Sequence, residues 1–168
     1  MERELTQEAK KVLLLLAQEE AKKFHSGEIQ PEHVILPILK MKDGNAVKAL
    51  EQIGVSVSEM QVEVERSIPR LKGGLLYGEK PPSRRSQEML VNSQREAGRM
   101  GQEYTGAEHL LLGVIQEETC VVSRYLAKCN VTPSVLREVI QRVSTAVNNK
   151  DSVWRDVMAS FLESEKTR

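Results

Sequence analysis

This chain has few aromatic residues and no excess of charge of either sign. Only 4% of its 168 residues are Phe, Trp or Tyr, so aliphatic side chains must form the core, as is typical of helices packed against helices. The 24 basic and 24 acidic side chains balance, and a balanced surface has no overall field to attract a polyanion. We therefore expect no nucleic acid and no membrane among its partners.

Cysteines and long hydrophobic runs are also scarce. Cys120 and Cys129 form neither a CxxC motif nor a disulfide framework, which favours a reducing compartment, and we expect both to be small hydrophobic residues near helix ends. The strongest apolar run, residues 12–17, is far short of the roughly 20 residues that span a bilayer. Acidic residues precede this run and no small-residue cleavage site follows it, which argues against a signal peptide. These features predict a cytoplasmic protein.

The motifs of the common enzyme classes are missing as well. The sequence has no GxxxxGK phosphate loop ending in Ser or Thr, no GxSxG and no HExxH motif, and these are the patterns that bind nucleotide phosphates, carry a serine nucleophile or hold a catalytic zinc. We therefore expect no catalytic residue, no metal and no cofactor in this chain.

What the sequence does contain is an internal duplication. The stretch EHVIL at residues 32–36 recurs as EHLLL at residues 108–112, 76 positions later. Residues of matching type flank the two copies: Glu20-Ala21 and Glu96-Ala97 ahead of them, and Leu50 and Leu126 behind. A recurrence at a fixed period over more than half of a chain indicates a repeated structural module.

Helix start and stop signals predict four helices in each repeat. Thr6 and Ser83 are N-cap residues for the first helix of each repeat, and Pro31 fits the first position of the second helix. No stretch alternates as a strand does, so the predicted fold is all-α. The predicted helices are Thr6 to about Phe24, Pro31 to about Asp43, about 45–52, 56–68, the helix after Ser83, and about 106–116, 119–128 and 132–147.

The chain is predicted to have four parts. Residues 1–68 form the first repeat, residues 69–83 a Gly- and Pro-rich linker, residues 84–147 the second repeat, and residues 148–168 a separate amphipathic C-terminal helix after Asn148-Asn149. Apolar residues recur every four positions in that last segment and define one broad face. This face either packs on the repeats, belongs to a longer linker, or docks onto another protein through Trp154, Met158 and Phe161.

With the two repeats aligned, an ordered series of motifs stands out. These motifs are Leu5-Thr6-Gln7-Glu8-Ala9, Ala17-Gln18-Glu19-Glu20-Ala21, Glu32-His33-Val34-Ile35-Leu36, Gly44-Asn45-Ala46, Ser93-Gln94-Arg95-Glu96-Ala97 and Tyr104-Thr105-Gly106-Ala107-Glu108-His109. Through them the chain resembles, over about residues 4 to 145, the double Clp N-terminal domain, ClpC-like or from a stand-alone relative. This is the two-repeat helical module at the front of the Clp AAA+ unfoldases.

The resemblance implies two four-helix repeats related by a pseudo-twofold axis, and a non-catalytic function. In that family the module contacts protein substrates or adaptor proteins and helps deliver them to the Clp AAA+ ring and its peptidase. Two alternatives stay open. The chain could instead be a stand-alone accessory protein that regulates the unfoldase or the peptidase, or a phosphate or small-ligand sensor that uses its helix N-termini.

The resemblance also implies a candidate ligand. In some bacterial relatives the glutamate of each Glu-His motif binds the guanidinium group of phosphoarginine, and these glutamates correspond to Glu32 and Glu108. The groups proposed to assist them are Thr6, Lys10, Ser83 and Arg84, with Lys11 and Arg85 as further candidates. Their main role would be to donate hydrogen bonds to the phosphate.

Two features of the sequence bear on this hypothesis. The first helix has one more residue between Ala9 and Ala21 than its counterpart has between Ser86 and Ala97, and one residue turns a helix face by about 100°. That turn would rotate Thr6 and Lys10 relative to the family's usual positions. In addition, the glutamates have a simpler interpretation, because a carboxylate in a first helical turn complements the helix dipole, and Thr105 and Glu108 have capping-box spacing.

His33 and His109 directly follow the two glutamates. Adjacent residues of a helix point about 100° apart, so a glutamate and a histidine in sequence cannot easily chelate one metal ion. We expect these histidines to form hydrogen bonds within their own repeats.

Overall fold

A computed structural model of the chain describes residues 4–70 and 78–166, with side chains for residues 4–70, 78–144, 157–160 and 162. Helices account for most of the described residues, which confirms the all-α prediction. The elements in chain order are β1 Glu4–Leu5, α1 Gln7–Lys11, a π-helical segment Val12–Leu16, α2 Ala17–Lys23, α3 Pro31–Lys40, α4 Asn45–Ile53, α5 Val57–Ser67, α6 Arg84–Arg99, β2 Tyr104–Thr105, α7 Ala107–Ile115, α8 Val121–Lys128 and α9 Pro133–Lys166.

The two Glu-His helices, α3 and α7, lie at the centre of the fold and contact each other. The three apolar residues that follow each histidine, 34–36 and 110–112, are between 0 and 1% exposed. They belong to one aliphatic cluster that includes residues from both repeats. The two repeats therefore share one core. Burial of such side chains is the main favourable term in folding, at about 25 cal/mol per Å² of apolar surface.

The chain segments before the helices pair across the repeats. Glu4 and Leu5 pair in parallel with Tyr104 and Thr105, and an isolated bridge joins residues 29 and 82. The prediction that no strand would form is wrong for these short pairs, because two residues leave no alternation in the sequence and the pairing depends on a distant partner. As a result, the start of α1 lies beside α7, and the start of α6 lies beside α3.

The π-helical segment absorbs the extra residue of the first helix. The backbone N–H of Ala17 donates to the carbonyl oxygen of Val12, and this i+5 bond encloses one more residue than an α-helical bond does. The extra residue therefore does not rotate the rest of the helix.

The flanking residues show that the register is kept. Thr6 caps α1 by accepting the N–H of Ala9 at 3.1 Å, and Ser83 caps α6 in the same way. Beyond the insertion, Glu20 and Glu96 are both buried. The rotation of Thr6 and Lys10 that the residue count predicted does not occur.

The last helix, α9, runs without a break from Pro133 to Lys166. The predicted boundary at Asn148-Asn149 is wrong, because asparagine costs a helix only about 0.7 kcal/mol or less relative to alanine. Met158 is 51% exposed, so it does not pack on the repeats. The side chains of Trp154 and Phe161 lie outside the described residues.

Within the described ranges, no helix combines the length and the apolarity needed to cross a bilayer.

Deleting one residue from the π-helical segment should leave the fold intact. Leu14 is 74% exposed, and its deletion makes the first helix equal in length to α6, so we expect the free energy of unfolding to change by about 1 kcal/mol or less. Val91 of α6 is 50% exposed, but its deletion turns the following face by about 100° and misplaces buried Glu96, at a cost of about 3 kcal/mol or more. Urea unfolding measures both changes, and equal losses would contradict this account.

The close contact between α6 and α7 depends on Gly113. A Cβ atom there would lie 2.5 Å from the carbonyl oxygen of Met89 and would also clash with Ser93. We expect Gly113→Ala to lower the free energy of unfolding by about 1–3 kcal/mol, the usual cost of overpacking. Gly27→Ala is the control, since nothing lies within 4 Å of its added Cβ. Similar unfolding curves for the two variants would argue against a tight contact.

Candidate functional site

Each Glu-His motif begins a helix, and its histidine caps that helix. The Nδ1 atom of His33 accepts the backbone N–H of Gln30 at 2.9 Å, and the Nδ1 atom of His109 accepts the N–H of Gly106 at 2.8 Å. The imidazole thus takes the position that Glu or Gln has in a capping box. The expectation that the histidines bond within their repeats is confirmed.

The capping box predicted from Thr105 and Glu108 does not form. Gly106 is the N-cap residue, and the buried hydroxyl of Thr105 has no partner in the described part of the chain. The carboxylate of Glu108 is therefore not engaged in that box. It still lies in the first turn of α7, where the helix dipole favours a negative charge.

The capping bonds leave both histidines neutral. Because Nδ1 accepts a hydrogen bond, the proton of the neutral ring lies on Nε2. Burial lowers the pKa of His109 to about 4, despite the charge of Glu96, and burial also lowers the pKa of His33. Among the described residues there is no group of three or more His, Cys, Asp or Glu side chains that could hold a metal ion.

At the first site, Glu32 binds a guanidinium group from the other repeat. Arg85 of α6 donates from Nη2 to Oε1 at 2.9 Å and from Nη1 to Oε2 at 3.4 Å. Its Nε donates to Glu117 at 2.6 Å. Although burial lowers the pKa of Arg85, the hydrogen bonds to Glu117 and Glu32 raise it above its ordinary value. The arginine is therefore fully charged between two carboxylates.

A cysteine and a cavity border this ion pair. The Sγ atom of Cys120 lies 3.9 Å from Oε1 of Glu32. Burial, and then the charge of Glu32, raise the pKa of Cys120 to about 11, so the thiol is protonated. On another side is a cavity of about 250 Å³, whose lining includes Glu32, Arg85, Gln30 and His33.

At the second site, Glu108 faces an acidic residue instead of an arginine. Glu8 of α1 stands where Arg85 stands at the first site, because α1 meets α7 as α6 meets α3. Burial raises the pKa of Glu108, while partial burial and then the charge of Glu108 raise that of Glu8. Within the described residues, neither carboxylate forms an ion pair with Lys or Arg. The two sites therefore have equivalent backbone arrangements but carry different charges.

The other candidate residues have mixed positions. Thr6 and Ser83 accept backbone N–H groups at the starts of α1 and α6, and Lys10 is exposed on α1. Arg84 is 93% exposed in its side chain and pairs with Glu88 on its own helix.

Arg85, not Arg84, reaches a candidate glutamate. Helical spacing carried a signal for this, since Arg85 lies one turn before buried Met89 on the inner face of α6.

The sequence profile of the Clp repeat (R) N-terminal domain matches residues 4–129 and, in a second alignment, residues 81–160. The chain belongs to this family. The match confirms the resemblance to the Clp N-terminal domain.

Similar proteins include Clp chaperones. The chloroplastic chaperone ClpC of Pisum sativum is 34% identical over 145 residues, which is 86% of this chain and 16% of that protein. The chaperone ClpB of Oceanobacillus iheyensis is 35% identical over 140 residues, which is 80% of this chain and 16% of that protein. The chain thus spans about one sixth of these relatives, in the region of the Clp N-terminal domain.

Solved Clp N-domains share the fold. The N-domain of ClpV from Vibrio cholerae aligns with a TM-score of 0.71 at 14% identity, covering 83% of this chain and 84% of that one. The N-terminal domain of Hsp104 from Candida albicans aligns with a TM-score of 0.66 at 15% identity, covering 82% and 89%. The helical arrangement of the Clp N-terminal domain is thus preserved although most side chains differ.

The buried His109 should make stability depend on pH. The unfolded chain takes up a proton on this histidine below about pH 6.5, whereas the folded chain does so only near pH 4. The contribution of neutral His109 to the free energy of unfolding is therefore complete above about pH 6.5. This contribution, on the order of 3 kcal/mol in total, is lost as the pH falls towards 4.

The variant His109→Asn isolates this effect, because Oδ1 can accept the same N–H but does not titrate. Between pH 7 and pH 4 the variant should lose less stability than the parent in urea unfolding. His25→Asn, at an exposed histidine, is the control and should follow the parent. If His109→Asn loses as much stability as the parent does, the histidine is not buried in its neutral form.

Proposed function

We propose that this chain is a substrate- or adaptor-recognition domain of a Clp protein-unfolding machine and that it binds arginine side chains of partner proteins at Glu108. One observation carries the proposal: at the first site, the equivalent Glu32 already holds a guanidinium group through both carboxylate oxygens. The same first-turn geometry recurs at Glu108, where the described residues supply no arginine.

The charge of the second site favours a cationic ligand. Glu8 lies close enough to Glu108 for the charge of Glu108 to raise the pKa of Glu8, and burial raises the pKa of Glu108 itself, so a second negative charge is disfavoured there. A guanidinium group would offset that repulsion, and its planar fork matches a carboxylate better than an ammonium group does. The side chain of Glu108 is only 16% exposed, which strengthens a charge-assisted bond made there.

Phosphoarginine is the finer form of this proposal. Its guanidinium group would bind Glu108, and its phosphoryl group would need hydrogen-bond donors. The candidates on α1 are Lys10 and the backbone N–H groups at the start of the helix, which follows its N-cap residue Thr6. Glu8 opposes a negative phosphoryl group at this site. The competition between these groups makes the ratio of affinities for arginine and phosphoarginine informative.

The wider assignment draws on the relatives. ClpC and ClpB are chaperones by name, and the ClpV N-domain, which has this fold, forms a complex with a VipB peptide. We propose that the partners of this chain are likewise protein segments, either substrates or adaptors, and that a Clp AAA+ ring and its peptidase act on what it binds. The apolar face at Trp154, Met158 and Phe161 stays a predicted docking site.

Replacing the carboxylate of Glu108 should weaken binding of an arginine ligand. We expect Glu108→Gln to lower the affinity for Nα-acetyl-arginine amide by about 10- to 100-fold, since a charge-assisted hydrogen bond contributes about 1.5–3 kcal/mol. Isothermal titration calorimetry with this ligand and with phosphoarginine measures the change.

Glu103→Gln provides the matched control, because it removes the same charge from a nearby exposed position and should leave both affinities unchanged. Equal binding by the parent and by Glu108→Gln, for both ligands, would reject the proposed site. Tighter binding of phosphoarginine than of the amide would support the finer proposal.

A further inference from the structure

Arg85 fills the first site from within the molecule. It extends from α6 in the second repeat to Glu32 of α3 in the first, with distances of 2.9 and 3.4 Å to the two carboxylate oxygens. This fork is the geometry in which an arginine of one protein binds a carboxylate of another. The position that a partner's arginine would need at Glu32 is therefore already taken.

A second carboxylate allows Arg85 to leave Glu32 without losing all of its partners. The Nε atom of Arg85 lies 2.6 Å from Glu117, whose side chain is 30% exposed. The side chain of Arg85 is itself 40% exposed, so its guanidinium group can rotate towards solvent without repacking the core. Arg85 can thus remain on Glu117 after releasing Glu32.

Glu32 cannot be left without a cation so easily. Its side chain is only 13% exposed, and removing one partner of a largely buried ion pair leaves an uncompensated charge. Exchange of Arg85 for another guanidinium group avoids that penalty. The burial of Glu32 therefore favours replacement of Arg85 by another guanidinium group over departure of Arg85 alone.

Space for an incoming side chain lies beside the pair. The cavity of about 250 Å³ includes both Glu32 and Arg85 in its lining. Two further lining residues have unused polar atoms: Nε2 of His33, which is 1% exposed as a residue, and Oε1 of Gln30 have no partner in the described part of the chain. Both atoms are almost inaccessible to solvent, so the cavity offers an incoming side chain room beside the carboxylate rather than exposed hydrogen-bonding partners.

We infer that Arg85 is an intramolecular competitor that keeps the first site closed until a partner's arginine displaces it. The inference rests on the proposed function, since the ligand is the same arginine side chain. The second site has Glu8 at the equivalent position and no such competitor. A partner therefore binds first at Glu108, and a second arginine enters at Glu32 only when Arg85 moves to Glu117.

Removing Arg85 should open the first site. In calorimetric titration with Nα-acetyl-arginine amide, we expect one molar equivalent for the parent chain and two for Arg85→Ala. Affinity at the added site should rise at least about tenfold, because a ligand's apparent dissociation constant is its intrinsic value divided by the open fraction. Adding Glu32→Gln to Arg85→Ala should abolish the gain. Arg84→Ala is the control, because it removes the same charge from the adjacent, 93% exposed side chain.

The outcomes separate this inference from the proposal for Glu108. If the parent binds no arginine amide but Arg85→Ala binds one equivalent through Glu32, the inference stands and the proposal for Glu108 fails. If folded Arg85→Ala, checked by circular dichroism, binds no more than the parent, the inference is overturned. Arg85→Lys keeps the charge but lacks the planar fork, and it replaces Arg85→Ala in the titration if the alanine variant does not fold. Arg85→Lys should bind a second equivalent of the amide, with a lower affinity than that expected for Arg85→Ala. Failure to bind a second equivalent also overturns the inference.

Discussion

Two equivalent backbone hydrogen bonds position the helices of this domain. The N–H of Thr6 donates to the carbonyl oxygen of Thr105, and the N–H of Ser83 donates to that of Ile29, both at 3.0 Å. Each bond joins the start of one repeat's first helix to the residues just before the other repeat's Glu-His helix. Aliphatic packing is not directional, so these bonds and the short strand pairs set which helix starts face each other. The cross-repeat contacts at both candidate sites follow from them.

The same arrangement explains how one duplicated backbone has two sites of opposite character. Each glutamate of a Glu-His motif faces the second residue of the other repeat's first helix, which is Arg85 at one site and Glu8 at the other. A single difference in side chain thus gives a neutralised carboxylate on one side and a repelling pair on the other. Since ligand preference depends on local charge more than on helix geometry, the two sites need not serve the same partner.

Much of the fold could be read from periodicity and caps. Thr6 and Ser83 begin their helices as predicted, and His33 and His109 bond within their repeats. The candidate site was less predictable. Helical spacing to Met89 pointed to Arg85 over Arg84, but the pairing of Arg85 with Glu32 depends on how α6 lies against α3, a helix of the other repeat. The π-helical segment was visible only as an extra residue, because a count does not say whether a helix rotates or bulges.

The sequence by itself determined the repeat, the helical class, the helix starts and the family, because these depend on local hydrogen-bonding preferences and on apolar spacing within one helix. Tertiary structure decided what the two glutamates face, whether the first helix keeps its register, and that α9 continues past Asn148-Asn149. Those outcomes depend on contacts between residues far apart in the chain, such as Glu32 with Arg85. Local preference carries no information about such pairs until the two repeats pack together.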